Sequence, residues 1–171
     1  MIETARLRLL PYTIHLARAF EQGQSELGAA LEASIPNGWP EYPGAYSRPA
    51  TEGSTGRESR DRGWGTYLFL LKDGSSLVGS GGYKGPPKGG VVEIGYEIAP
   101  PFRNRGMATE AARALIRHAY SNADVEEVQA RTLPERNASA RVLEKVGMEL
   151  AGEITDDDGV VWLWRTVGRP T

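Results

Sequence analysis

The segment that most constrains the fold of this chain is a strand, a short turn and a helix that follow one another between residues 91 and 121. The stretch VVEIGYEIA alternates as a half-buried strand does, and two prolines end it. The turn RNRGMA comes next, and the helical pattern TEAARALIRHAY begins directly after it. Because the first backbone N–H groups of a helix have no partner inside that helix, this turn is a predicted binding site for an anion.

The residue types of the turn suit a phosphate group. Gly106 lets the backbone approach a ligand without a Cβ in the way, and Ala108 is small for the same reason. Arg103 and Arg105 can add charge-assisted hydrogen bonds to phosphate oxygens. Taken alone, the pattern fits a glycine-containing loop with two solvated arginines equally well. It is neither a P-loop nor a Gly-x-Gly-x-x-Gly dinucleotide turn.

The rest of the chain alternates predicted strands with predicted helices. ARLRLL at residues 5–10 predicts a first strand, and two short helices follow from Thr13. GTYLFLLK and SLVGSGGYKG form an antiparallel meander with the strand before the turn. VEEVQARTL predicts a strand, NASARVLEKV a helix, and MELAGEIT with VVWLWRTV a closing hairpin. We therefore predict an α+β fold with a mixed, mostly antiparallel sheet of about six to seven strands and about four helices.

Length and composition exclude several classes of protein. A chain of 171 residues fits one domain, here residues 1–171, and its net charge of −2 argues against nucleic-acid binding. The chain has no cysteine and two histidines far apart, so we expect no metal site and no cysteine nucleophile. No apolar run approaches the roughly 20 residues that a membrane helix needs, and MIETARLRLL is not a signal peptide. We expect a cytoplasmic protein without a membrane partner.

Residues 34–63 form a long stretch with five glycines, four prolines and several aromatic residues. A loop of this length inside a compact domain is typical of a lid or a binding loop. Since linkers rarely need aromatic side chains, we predict that Trp39 and Tyr42 contact a substrate.

Two motifs together, EIGYEIAPPFRNRGMATEAARALI and ARTLPERNASARVLEKVGM, resemble the GNAT acetyltransferase superfamily. The resemblance is strongest to its ribosomal-protein N-acetyltransferase (Rim-type) branch and extends from TARLRL to VWLWRTV, leaving out the loop at 34–63. It implies acetyl-CoA as co-substrate, an amine acceptor, and a monomer or homodimer. It also implies that the sheet splays between the fourth and fifth strands, with pantetheine in the gap.

The resemblance assigns the cofactor site residue by residue. It implies that a backbone N–H near Ile98 lies beside the thioester carbonyl, where it acts as an oxyanion donor. The pyrophosphate of acetyl-CoA is expected at the turn, on Arg103, Asn104, Arg105, Gly106, Met107, Ala108 and Thr109.

The second motif departs from the family pattern in two ways. Asn137 lies two residues before Ser139 rather than three, so it is either a helix N-cap or a pantetheine contact. Leu143 stands where many members carry a tyrosine general acid. Ser139 is then the nearest candidate to protonate the CoA thiolate, or it is only a small residue at a helix start.

Acetyl transfer to an amine also needs a base, because amines are largely protonated at neutral pH. Glu93, Gly95 and Glu97 share one face of a predicted strand, and the opposite, apolar face carries Val92, Ile94, Tyr96 and Ile98. The resemblance indicates Glu93 as the residue near the acceptor amine, with Glu97 as the second candidate. The alternative is that both glutamates pair with arginines on a solvated surface.

Three functions follow from these patterns. The leading hypothesis is an acetyl-CoA-dependent N-acetyltransferase that acts on a protein α-amine or on a small-molecule amine. The weakened second motif leaves a non-catalytic CoA-binding module as an alternative. A protein-interaction module that uses the stretch NGWPEYPGAY is the third hypothesis.

Overall fold

The structure, a computed structural model, describes residues 1–43, 63–157 and 159–169. Within these ranges, four helices and a short 3₁₀ turn at Pro100–Phe102 surround one sheet. The helices are α1 (Ile14–Gln22), α2 (Gln24–Leu31), α3 (Met107–Tyr120) and α4 (Ala138–Lys145). The strands are β1 (Ile2–Glu3), β2 (Leu7–Pro11), β3 (Thr66–Leu71), β4 (Leu77–Tyr83), β5 (Val91–Ile98), β6 (Glu127–Thr132), β7 (Met148–Asp156) and β8 (Gly159–Thr166).

The sheet has eight strands in the order β1-β2-β3-β4-β5-β6-β8-β7. The pair β5–β6 is parallel, and the other neighbouring pairs are antiparallel. This confirms the predicted α+β class with a mixed, mostly antiparallel sheet. The count of six to seven strands was too low, because a strand as short as β1 shows no periodic pattern.

The alternation of side chains along the strands gives the sheet two separate apolar faces. One face packs under α3 and α4 and includes Leu7, Phe69 and Ile94. The opposite face packs under α1 and α2 and includes Leu68 and Leu70. Helices therefore cover both faces of the sheet. The candidate site lies at the C-terminal end of β5, near Ile98.

The helix after the turn begins earlier than its sequence pattern predicted. α3 starts at Met107, and the Glu110 N–H donates the first helical bond to the Gly106 carbonyl at 3.0 Å. Gly106 has φ +75°, a left-handed conformation that only glycine adopts at little cost. The glycine is therefore needed for the entry of the chain into the helix as well as for ligand approach.

The predicted loop at 34–63 is described only at its two ends. Ser34 pairs with the β3–β4 turn through a 3.0 Å bond from its N–H to the Ser75 carbonyl. Trp39 then enters the core under α1 and α2, with 2% of its surface exposed. Residues 44–62 lie outside the described ranges.

None of the helices in the described ranges combines the length and apolar character needed to span a bilayer. The same ranges contain no group of three or more His, Cys, Asp or Glu side chains that could hold a metal ion.

Candidate functional site

A gap opens in the sheet where β5 and β6 separate. In the described part of the sheet, their pairing runs from Val91 opposite Glu127 to Ile94 opposite Ala130, while β5 continues to Ile98. The Ala99 N–H donates to Val78 on the β4 side at 2.9 Å. Because successive N–H groups of a strand point to opposite edges, the Ile98 N–H points into the gap. The gap therefore presents a backbone donor on β5 beyond the last residue that pairs with β6.

The start of α3 borders this gap with a second set of backbone donors. Asn104 has φ 60° and Gly106 has φ +75°, so the turn folds tightly against the helix. The helical ladder begins at Glu110, which leaves the N–H groups of residues 107–109 without partners within the helix. No side chain caps this helix start. A negatively charged group is the natural partner of such a terminus.

The turn is supported by residues of the short connection between β1 and β2. The Glu110 carboxylate accepts hydrogen bonds from the Thr4 hydroxyl at 2.6 Å and from the Arg6 backbone N–H at 2.7 Å. Arg6 also donates to the Arg105 carbonyl at 2.9 Å. Burial alone would raise the pKa of Glu110, but the bonds from Thr4 and Arg6 and the Arg6 charge outweigh it and lower the pKa. The carboxylate therefore stays ionised and fixes the turn.

A cleft of about 580 Å³ joins the gap and the turn. Three cationic side chains line it, Arg103 from the turn and Arg141 and Lys145 from α4. Arg141 and Lys145 are four residues apart and so share one helix face. Backbone donors at one end and cations on both walls fit an elongated ligand that carries phosphates.

The opposite wall of the cleft comes from α4. The Asn137 side chain accepts from the Ala140 N–H at 2.9 Å, so Asn137 is the N-cap of this helix as well as part of the lining. The Tyr96 hydroxyl donates across the gap to the Ser139 carbonyl at 3.3 Å. Burial raises the pKa of Tyr96, against a smaller lowering by the bond to Ser139. Its phenol is therefore protonated at neutral pH and faces the cleft.

Glu97 lies at the end of the cleft nearest the 38–42 segment. Its carboxylate accepts a hydrogen bond from the Ser80 hydroxyl at 3.3 Å and another from the Glu41 N–H at 2.9 Å. Ser80 is fully buried and accepts from Trp39 Nε1 at 2.8 Å. A chain of hydrogen bonds from Trp39 through Ser80 thus sets the position of the Glu97 carboxylate.

Glu93 has a different environment on the same strand. It lies between Lys84 Nζ at 2.5 Å and Arg131 Nε at 3.2 Å, and it is not part of the cleft lining. Between the two glutamates, a Cβ at Gly95 would meet no described atom within 4 Å. Among the described residues, none covers the strand surface at Gly95.

The cleft brings together most of the residues that the sequence analysis selected. Those that line it are Tyr42, Glu97, Ile98, Arg103, Asn104, Gly106, Met107, Ala108, Thr109, Asn137 and Ser139. Three others lie outside the lining. Arg105 packs over the Phe102 ring, Trp39 is in the core, and Glu93 is in its ion pairs.

Several residues of the lining were not predicted from the sequence. Tyr96 was assigned only to the apolar face of its strand, although that face also borders the gap. The spacing of Arg141 and Lys145 could have indicated a cationic helix face. The full set of missed residues is Glu41, Tyr96, Phe102, Ala138, Arg141, Val142 and Lys145.

A splayed sheet with a glycine turn at a helix start defines a class of acyltransferases, and comparison with known proteins agrees. Residues 6–149 match the model of the acetyltransferase (GNAT) domain. The chain belongs to this family and is an acetyltransferase, which confirms the resemblance inferred from the two motifs. The comparisons support the superfamily, and the Rim-type branch stays a prediction.

Individual relatives agree with the family assignment. The chain is 28% identical over 151 residues to the uncharacterized N-acetyltransferase YjdG of Bacillus subtilis, covering 88% of this chain and 90% of the relative. An acetyltransferase (GNAT family) structure from Bacillus anthracis matches with TM-score 0.63 and 18% identity over 97% of each chain. The structure of AAC(6')-Ib in complex with ribostamycin and coenzyme A matches with TM-score 0.59 and 22% identity over 94% and 92% of the two chains. These two structural matches support the fold.

Proposed function

We propose that this acetyltransferase moves the acetyl group of acetyl-CoA to a primary amine. The observation that carries the proposal is the cleft itself. Its phosphate-type turn, its cationic walls and an inward-pointing N–H lie along one path that ends near Glu97. This arrangement fits a long anionic thioester at one end and an acceptor amine at the other.

The residues present fit acetyl-CoA, which supplies the activated acetyl thioester when it is bound. The N–H groups of residues 107–109 and the Arg103 guanidinium would hold phosphate oxygens. Arg141 and Lys145 would add charge from the opposite wall. Asn137 can contact the ligand through its N–H₂ group while its oxygen caps α4.

The acceptor amine needs a base, and the geometry favours Glu97 over Glu93. Glu97 lines the cleft and is positioned by Ser80, whereas Glu93 is held by Lys84 and Arg131. We propose that Glu97 takes a proton from the acceptor ammonium, directly or through a water, so that the neutral amine attacks the thioester. Glu93 stays a predicted base, and the test below separates the two.

Two further groups would complete the proton and charge balance. The Ile98 N–H would donate to the thioester carbonyl oxygen as negative charge develops on it. The departing sulfur needs a proton, and Tyr96 is a donor that is protonated at neutral pH and lies in the cleft. The nitrogen loses its second proton as the amide forms, and this proton would restore the Tyr96 phenol. Ser139 lines the same wall and is the second candidate.

The acceptor is proposed as an amine of a protein N-terminus or of a small molecule. In the part of the chain that the structure describes, no atom lies over Gly95, which leaves room there for either kind of amine. The Rim-type resemblance favours a protein N-terminus, and AAC(6')-Ib was solved with ribostamycin, an aminoglycoside.

A thiol-release screen tests the function. The protein is incubated with acetyl-CoA and with peptides, polyamines, amino acids or aminoglycosides, and free CoA is measured. We expect at least one amine to release CoA and to gain an acetyl group by mass spectrometry. Tight CoA binding without transfer to any amine would favour the non-catalytic module instead.

A further inference from the structure

Glu41 contacts both halves of the site with different parts of one residue. Its backbone N–H donates to the Glu97 carboxylate at 2.9 Å, and its own carboxylate pairs with the Arg103 guanidinium. Arg103 also donates from Nε to the Ile98 carbonyl at 2.9 Å. A single residue therefore joins the proposed base to the arginine of the phosphate turn.

The backbone at Glu41 is anchored, while its side chain is able to change partner. The preceding Trp39 is buried, and its carbonyl accepts from Gln24 Nε2 at 2.8 Å. In contrast, the side chains of Glu41 and Arg103 are 48% and 44% exposed. Ion pairs this exposed contribute at most about 1 kcal/mol, so an exchange of partner costs little.

Each substrate would bind a different member of this ion pair: a phosphate of CoA would bind Arg103, and the acceptor ammonium would bind Glu41. A phosphate oxygen that bonds to Arg103 must displace the Glu41 carboxylate, because both are anions at the same guanidinium. The displaced carboxylate belongs to a residue whose backbone N–H bonds to Glu97, where the acceptor is expected. Amines arrive there largely as cations at neutral pH, so a second carboxylate attracts them.

We propose that Glu41 exchanges partners during the reaction, from Arg103 to the acceptor ammonium, once a CoA phosphate has bonded to Arg103. This rests on the proposed transfer from acetyl-CoA to an amine. Glu41 is then a substrate-positioning residue. It weakens CoA binding slightly and strengthens acceptor binding in the CoA complex, which couples the two binding events.

The test uses Glu41→Gln, which keeps the size and the backbone N–H and removes only the charge. We expect the Kd of CoA, measured by calorimetry, to fall by about threefold to fivefold at low salt and by less at high salt. The KM of the amine that the wild type acetylates fastest should rise by a similar factor, with kcat nearly unchanged. If Glu41 had only a structural role, Glu41→Gln would weaken the binding of both substrates.

The matched control is Glu144→Gln. Glu144 pairs with Arg136 on the surface, is 42% exposed and lies outside the cleft lining. This control makes the same change in net charge, so we expect the wild-type Kd and KM. Thermal unfolding of each variant confirms that the proteins compared are folded.

A double-mutant cycle with Arg103→Gln tests whether Glu41 acts through Arg103. The effect of Glu41→Gln on CoA affinity should shrink to within about twofold in the Arg103→Gln background. An unchanged effect there, or a Kd of Glu41→Gln equal to that of the wild type, overturns the exchange. If the wild type binds CoA but acetylates no amine, the proposed contact of Glu41 with an acceptor ammonium is overturned. A wild type that does not bind CoA removes the proposed function itself.

Discussion

Two carboxylates of one strand face the same side of the sheet but have different neighbours. Glu93 contacts two cations, and Glu97 accepts hydrogen bonds from Ser80 and from the Glu41 backbone. A base has to lie where the substrate proton is, so the cleft lining is the first criterion. This geometry favours Glu97 as the base, whereas the family resemblance placed Glu93 first.

The roles of the two glutamates can be separated with matched variants. Glu97→Gln should lower kcat by about 10²-fold at neutral pH, because the ammonium loses its proton acceptor. The defect should shrink at high pH, where the amine deprotonates unaided. Glu93→Gln, with the same change four residues away, should retain activity within about threefold. Steady-state kinetics from pH 6 to 9 checks this, and loss of activity only in Glu93→Gln would assign the base to Glu93.

Tyr96 offers a second test at the scale of one residue. Tyr96→Phe keeps the ring and removes the only proton that this side chain can give to the sulfur, so kcat should fall by about 10-fold to 10²-fold. Ser139→Ala should cost less than about threefold, since Tyr96 bonds to the backbone carbonyl of Ser139, which alanine keeps. A larger loss in Ser139→Ala would make the serine the donor.

At the scale of elements, the turn at the start of α3 depends on a brace from another part of the chain. Thr4 and Arg6 lie more than 100 residues from Glu110 in sequence, yet they hold its carboxylate. The brace positions the backbone that is proposed to bind phosphate. Helix propensity and the glycine predicted the helix and its turn, but nothing local predicts which part of the chain supports them.

The brace predicts a pH-dependent stability. The pKa of Glu110 is lowered in the folded protein, so its contribution is present above the unfolded pKa of about 4.3 and is lost as pH falls through the folded value. Glu110→Gln should therefore destabilise the protein by about 1–2 kcal/mol at pH 7. The difference should narrow below about pH 4. Urea unfolding at several pH values measures it, and a constant difference would contradict the linkage.

At the scale of the whole molecule, the sequence predicted the elements whose signals are local. The glycine turn, α3 and the antiparallel meander each have a clear pattern, and the family resemblance supplied the splay between β5 and β6. The contacts across the cleft have no such signal. Glu41 meets Arg103 from 62 residues away, and Ser80 lies in a glycine-rich strand that shows no alternation. Strand periodicity identified Tyr96 as apolar-facing and could not tell that α4 leaves its hydroxyl at the cleft.

The most direct test of the account is the affinity of CoA for a protein with a carboxylate added to the turn. Ala108→Asp is a suitable change, because Ala108 lines the cleft in the first turn of α3, where the helix itself favours a negative charge. Gly106 is less suitable, since its positive φ would strain any other residue. The control is Ser25→Asp, which adds the same charge to the exposed first turn of α2.

Calorimetry with CoA on the wild type and on both folded variants gives the decisive comparison. The account predicts that Ala108→Asp weakens CoA binding by at least about tenfold, or about 1.4 kcal/mol, by repelling the phosphates. Ser25→Asp should bind CoA as the wild type does. Equal affinity in all three proteins would contradict the assignment of this turn as the phosphate site.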